Sequence, residues 1–362
     1  MIQSLFRFSC PLVLLGAFLF ASFSAASLTA KEPVAIIFDT DLGNDIDDTM
    51  ALAVAHALQS RGELKILAVT LTKDNKYVAP TVSLVNKFYG RPNIPVGVAQ
   101  SGVTPEDGKY NRQLVEAKDA AGKPLFPSDI NVDTELPGAV ALLRKTLAAA
   151  EDNSVVIVQI GFFTNLARLL DTPGDALSPL TGMELVKKKV RYVSLMAGGF
   201  GHGFEKHKEY NVICDLPAAR KMIAAWPTEM VFSGYEIGQL ISYPPVSIRE
   251  DYEYVPAHPV KIGYQHYRGF DKSQSTYDLN SVLYAARPNR GYYTLSEPGT
   301  VTFTEEGVTV FKPDPNGKHR YQIVDDKQIA ATREALIQLS SEPPHLDAYG
   351  NALRMTSLPY RY

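Results

Sequence analysis

The feature that most restricts the fold is an alternation, from about residue 33 onward, of short continuous apolar runs and longer amphipathic stretches. Residues 34–38 (VAIIF), 64–71 (LKILAVTL), 155–159 (VVIVQ) and 190–196 (VRYVSLM) are mostly apolar runs of strand length. A strand that is apolar on both faces is covered on both faces, which is the habit of parallel sheets. Shorter runs at 94–98 and 230–232 extend the series. Between them, residues 47–58, 79–89, 137–150, 165–170 and 217–225 carry helical periodicity. Strand and helix in repetition predict an α/β fold, with a mostly parallel central sheet flanked by helices. Such sheets bind ligands at the carboxyl ends of their strands, so polar residues just after each apolar run are the ones to inspect.

The C-terminal third differs. Residues 292–295, 300–304 and 308–311 are short β-type runs separated by Gly299 and Gly307, which predict a small C-terminal β meander. Residues 325–339 predict a final helix. No internal repeat, low-complexity tract or linker breaks the chain, so residues 27–362 are expected to form a single domain.

Residues 1–26 stand apart. Arg7 is the only charge among the first thirty residues, 11–23 are apolar, and Ser24-Ala25-Ala26 offers small residues for cleavage. That is the layout of a secretory signal peptide, and the run is short of the roughly 20 residues of a spanning helix. A periplasmic or secreted protein is expected, with no membrane partner after cleavage. Cys10 leaves with the leader, and Cys214 is then the one cysteine, so no internal disulfide forms. Apolar residues at 45% and charged residues at 21% exclude wholesale disorder. With 36 basic against 39 acidic residues there is no basic footprint, so no nucleic-acid partner is expected.

The chemistry concentrates in Asp39-Thr40-Asp41-Leu42-Gly43-Asn44-Asp45-Ile46-Asp47-Asp48, directly after the first apolar run. Asp39 and Asp41 are two apart and share a face on a strand end. Gly43 permits a turn closed to other residues, and Asp47 and Asp48 open a helix whose macrodipole favours negative charge. A capped turn needs one or two aspartates. Five carboxylates in ten residues repel one another unless a cation holds them. Oxygen donors without nitrogen point to a hard ion, calcium or magnesium.

This segment resembles the signature of the calcium-dependent nucleoside hydrolases, the inosine-uridine preferring nucleoside N-ribohydrolases, in which Asp-Thr-Asp-Pro-Gly precedes an Asp pair. Here Leu42 replaces the proline, and two extra residues, Asp45 among them, precede Asp47-Asp48. Further segments match in order: Val69-Thr70 with Asn75; Gly161-Phe162-Phe163-Thr164-Asn165; Met196-Ala197-Gly198-Gly199 with Glu209-Tyr210-Asn211 and Asp215; and Tyr277-Asp278. The resemblance runs over about residues 33–340. It implies a Rossmann-like core, a nucleoside substrate, a Ca2+ cofactor and a dimer or tetramer.

The resemblance also assigns roles. Asp39, Asp41, Asp48, Asp278 and the Thr164 carbonyl would hold calcium, and Asp41 would be the general base toward a calcium-activated water. Asp47, with Asp45 as competitor, would grip the sugar together with Asn75, Glu209 and Asn211. Tyr277 stands where the family often has a histidine that protonates the leaving base, so that acid is open among Tyr277, Tyr264, His266, Tyr267, Arg268 and His202. His202 and His207 flank Phe204 in a Gly-rich loop, and a loop histidine reads first as solvent-exposed. Plain alternatives stand beside these roles. Asn75 can close a loop, Glu209 and Asn211 can lie on an exposed strand, and Thr164 and Asp278 can cap helices. Two other functions compete: a magnesium-dependent phosphatase, which also begins with a strand and Asp-x-Asp, and a calcium-stabilised sugar-binding protein without turnover.

Overall fold

In the computed structural model, residues 32–345 are described. The expected leader at 1–26 lies outside them. The apolar runs become strands: β1 is Val34–Thr40, β2 Leu64–Leu71, β3 Val96–Gly97, β4 Val155–Gln159, β5 Val190–Met196 and β6 Glu229–Ser233. All five residues of β4 are buried, as are six of the seven in β1. Two short strands, β7 (Ser242–Tyr243) and β8 (Gln274–Ser275), pair antiparallel by themselves. The C-terminal strands are β9 Thr294–Leu295, β10 Gly299–Phe303, β11 Thr309–Pro313 and β12 His319–Ile323.

The main sheet runs in the order β11-β10-β12-β6-β5-β4-β1-β2-β3, with β9 on β12. From β3 to β12 every neighbouring pair is parallel. The C-terminal hairpin, β10 with β11, is antiparallel. It is not a detached meander: β12 lies parallel to β6 and carries the hairpin onto the edge of the main sheet. Its sequence, HRYQI, has no apolar run, because only part of it is buried.

The topology places the site. The chain steps outward from β1 to β2 to β3, then returns to β4 on the other side of β1. Crossovers on either side of this β1–β4 boundary leave a crevice at the carboxyl ends of the strands. Gly161, just past β4, makes the boundary close. A Cβ there would sit 2.4 Å from the Asp41 backbone nitrogen and 2.5 Å from Thr72 Oγ1.

Above the sheet, helix Asp47–Ser60 is buried along almost its whole length. It packs on helix Tyr277–Ala286, itself largely buried, and on helix Asp326–Ser340. The first two helices therefore present their N-terminal aspartates to one place. Among the described residues, no helix is long and apolar enough to cross a membrane.

Candidate functional site

Asp39 is the next-to-last residue of β1, in register with Thr70 on β2 and Gln159 on β4. It is fully buried. Its Oδ1 accepts from Thr70 Oγ1 at 2.5 Å and from Asn165 Nδ2 at 2.9 Å, while Oδ2 has no partner. Desolvation dominates those two bonds and raises the carboxyl from 3.8 to about 7. Asn165 also donates to Leu71 O at 3.0 Å, so it ties the ends of β1 and β2 to helix Thr164–Leu170.

After β1 the chain turns through Gly43, whose φ of 123° is closed to other residues. A side chain there would also strike Asn111, whose Nδ2 donates to Leu42 O at 3.0 Å. This turn sets four aspartates. Asp41 is buried and raised to about 7, chiefly by desolvation. Its Oδ2 accepts from Asn44 Nδ2, and Asn44 Oδ1 accepts from Lys73 Nζ at 3.1 Å. A lysine ammonium can only donate, so it fixes which way the Asn44 amide faces. Thr40 Oγ1 donates to Asp48 Oδ1. The Asp278 backbone N–H donates to Asp47 Oδ2 at 3.2 Å, while Asp47 Oδ1 is buried without a partner.

Asp45, Asp47, Asp48 and Asp278 each offer an oxygen within 4.8 Å of the others. Burial and then mutual repulsion push Asp47, Asp48 and Asp278 well above the carboxylate range. Four converging carboxylates, an orphaned Asp47 oxygen and two positive helix ends form an all-oxygen donor set that fits a hard divalent cation. Asp39 and Asp41 lie outside this group of four side chains. The Thr164 hydroxyl donates to Asp215 Oδ2.

Beside the aspartates lies a cavity of about 410 Å3, of a size suited to a small molecule. Asp41, Asp45, Asp47 and Asp278 line one side, and Glu209 and Asn211 another. Both of the latter are buried, Asn211 in a short helix, Tyr210–Cys214, and Glu209 just before it, and neither is on a strand. Glu209 caps that helix, accepting from the backbone N–H of Asn211 at 2.9 Å and of Val212 at 3.2 Å. It also accepts from Gly198 N at 3.3 Å, and burial raises it to about 7. Asn211 Nδ2 donates to Ile160 O and Met196 O, each at 3.2 Å, and so bridges the ends of β4 and β5. Tyr277 is in the wall, stacked on Tyr235 at 5.0 Å.

Asn75 does not line the cavity. Its amide donates to Pro105 O and Asp107 Oδ1, each at 3.0 Å, and its oxygen accepts from Tyr77 N. Lys73, two residues earlier, lines the cavity instead and is only 3% exposed. Sequence reasoning missed Lys73, Asn44, Asn165 and Tyr235. For Lys73 the signal was there, since a cation follows β2 almost immediately at its carboxyl end. For Tyr235 there was none. Of the candidate acids, Tyr264 is buried with its hydroxyl on Lys272 O, and His202 and His266 are exposed, while Tyr267 lines the cavity.

An acidic oxygen cage at the switch point of a parallel sheet, opening on a cavity of nucleoside size, defines a metal-ready α/β small-molecule site. The model of the inosine-uridine preferring nucleoside hydrolase family matches residues 36–332, and the chain belongs to that family. Solved structures share its fold at low identity. A plant nucleoside hydrolase is 18% identical with a TM-score of 0.62, covering 86% of this chain and 100% of its own. The inosine-uridine preferring nucleoside hydrolase of Bacillus anthracis is 15% identical, TM-score 0.62, covering 85% and 99%. A type III effector protein, XopQ, complexed with adenosine diphosphate ribose is 17% identical, TM-score 0.59, covering 87% and 95%. Among curated protein sequences, none matches.

Proposed function

We propose that the protein is a calcium-dependent nucleoside N-ribohydrolase, exported from the cytoplasm, that cleaves ribonucleosides to free base and ribose. The observation that carries this reading is the meeting of Asp45, Asp47 and Asp48 with Asp278 beside a cavity of about 410 Å3. Asp45, Asp47, Asp48 and Asp278, with Asp41 and Asp39 next to them, would hold the ion. Bound calcium would offset their mutual repulsion and supply the electrostatic activation of a water for attack.

The chain's own residues do the rest. Asp41 accepts the proton of the attacking water. Burial raises it to about 7 without metal, and a bound cation would lower it again, leaving the carboxylate ionised and able to accept a proton. Asn44 holds one of its oxygens, which limits its rotation. Asp47, Glu209 and Asn211 surround the sugar and set the anomeric carbon against the water, a proximity effect. Attack by water opposite the departing base inverts the anomeric centre.

A second reading, binding without turnover, draws on one feature: both Glu209 oxygens are already engaged by backbone donors. One experiment separates the readings. Inosine, uridine and a panel of other nucleosides are assayed for released reducing sugar, with calcium and with chelator, on wild type and Asp41→Asn. The hydrolase reading expects sugar release that chelation abolishes and that Asp41→Asn lowers by about 10²–10⁴. Calorimetric binding of nucleoside by calcium-loaded protein with no sugar released overturns it in favour of binding alone. Phosphate release from a phosphomonoester would favour the phosphatase.

A further inference from the structure

Hydrolysis of an N-glycosidic bond requires a proton for the departing base, and the aspartates of the cage face the sugar side of that bond. The inference here rests on the hydrolase reading above and concerns another part of the cavity wall. There His207, Tyr235 and Tyr277 share one wall. Tyr235 lies between the other two, 4.0 Å from the His207 ring and 5.0 Å from the Tyr277 ring. The hydroxyls of Tyr235 and Tyr277 both accept from Gln239 Nε2, on an exposed residue outside the cavity wall. Both hydroxyls are thereby engaged by Gln239, and the two rings are stacked.

His207 differs in two respects. It is the one imidazole among the residues lining the cavity, and its Nε2 is buried with no hydrogen-bond partner. A buried polar atom with nothing to bond is rare, and a turn of the ring toward the cavity would give it a ligand as partner.

The loop that carries it is fixed in place. Its first residues are held where the N–H groups of Gly198, Gly199 and Phe200 donate to Glu209, Thr309 Oγ1 and Glu236. The His207 N–H donates to Phe204 O at 2.9 Å, and Lys208 bridges to Val308. Only the tip is open. Gly201 and Gly203, both at positive φ, face open space where a side chain would otherwise begin, and His202 is fully exposed.

We propose that His207 is the acid that protonates the departing base. As the bond from the anomeric carbon to the base breaks, its electron pair stays on the base. The proton of the His207 imidazolium moves from Nε2 to a ring nitrogen of the base. Water adds at the anomeric carbon and gives its proton to Asp41, and solvent then restores both groups. The sum is nucleoside plus water to base plus ribose. Partial burial lowers the imidazole below its ordinary 6.5, which makes its charged form a stronger acid.

The test compares two ribosides. Uridine needs a proton on its leaving group, whereas the p-nitrophenyl riboside departs as a stable anion. His207→Gln keeps a hydrogen bond and removes the transferable proton; His207→Ala is the second variant, and thermal melts establish that both fold. The expected result is a kcat on uridine lowered about 10²–10⁴-fold, with kcat on the p-nitrophenyl riboside within about threefold of wild type. Equal losses on both substrates would make His207 a packing residue and overturn the proposal, as would no loss on either. Wild type that releases sugar from neither riboside would sink the hydrolase reading itself, and the proposal with it.

Discussion

Asp39 offers a direct measure of what the buried acidic site costs the fold in the absence of metal. Its Oδ1 is paired with Thr70 and Asn165, and its Oδ2 has no partner. Replacement by asparagine keeps an oxygen toward both donors and turns the amide NH2 to the orphan side. That is the arrangement of the protonated carboxyl, so Asp39→Asn mimics the neutral acid at every pH. The sign follows from linkage. The folded carboxyl titrates at about 7, the unfolded one near 3.8. Between those values the folded wild type holds a proton that the unfolded chain has released, so raising the pH favours unfolding.

The slope is about 1.36 kcal/mol per pH unit and falls off as the pH nears 7, so wild type loses about 2 kcal/mol relative to the variant between pH 5 and pH 7. For a chain of this size that corresponds to a melting shift on the order of 3–4 °C. His258 and His319, lowered by burial to about 3 and about 4, pull with the opposite sign. They are common to both proteins and cancel in the difference. The assay is urea or thermal unfolding of both proteins in chelator, at half-unit steps from pH 5 to pH 8. The variant should be the more stable by a margin that widens with pH up to about 7 and then levels. A margin that is flat across the range, or one that favours wild type at pH 8, would refute the reasoning.

What could be read from the sequence follows a physical line. Strands covered on both faces carry their own label, and β2, β4 and β5 begin and end where their apolar runs do. β12 carries none. It sits toward the sheet edge, and its partner is β6, some ninety residues earlier in the chain. The acidic turn was legible because so many like charges in one turn are costly without a purpose. Its geometry was not. Asp278 reaches Asp47 through the packing of two helices separated by more than two hundred residues, a contact no local pattern encodes. The exchange of Asn75 for Lys73 at the cavity arises in the same way. The loop at 105–107 comes back over β2 and occupies the Asn75 amide. His207 looked like any loop histidine because the bonds that fix its loop come from Thr309 and Glu236, far along the chain.

Two further outcomes follow. Asp278→Asn removes one of four converging negative charges and should weaken calcium binding by at least about tenfold, since affinity tracks the charge count of the ligands. Calorimetric titration near pH 6 should also register protons released by wild type as its raised carboxyls ionise around the ion, and fewer from the variant. Equal affinity in both proteins would remove Asp278 from the cage. Away from the site, Arg144 tests the scaffold. Its guanidinium is nearly buried, with Nε on Asp175 Oδ2 at 2.7 Å, Nη1 on Thr172 Oγ1 at 2.8 Å and Nη2 on Leu180 O at 3.0 Å. These bonds hold the connection between helices Thr164–Leu170 and Gly182–Lys189 against helix Ala139–Ala149. Arg144→Ala takes the donor from the buried Ser178 O and from these partly exposed acceptors, and should cost about 1–3 kcal/mol in urea unfolding. Arg144→Lys should recover less than half, because a point charge cannot serve three diverging acceptors at once. Neither should alter kcat for the protein that remains folded, since Arg144 does not line the cavity. A lysine variant as stable as wild type would mean that charge alone, and not the shape of the guanidinium, holds that connection.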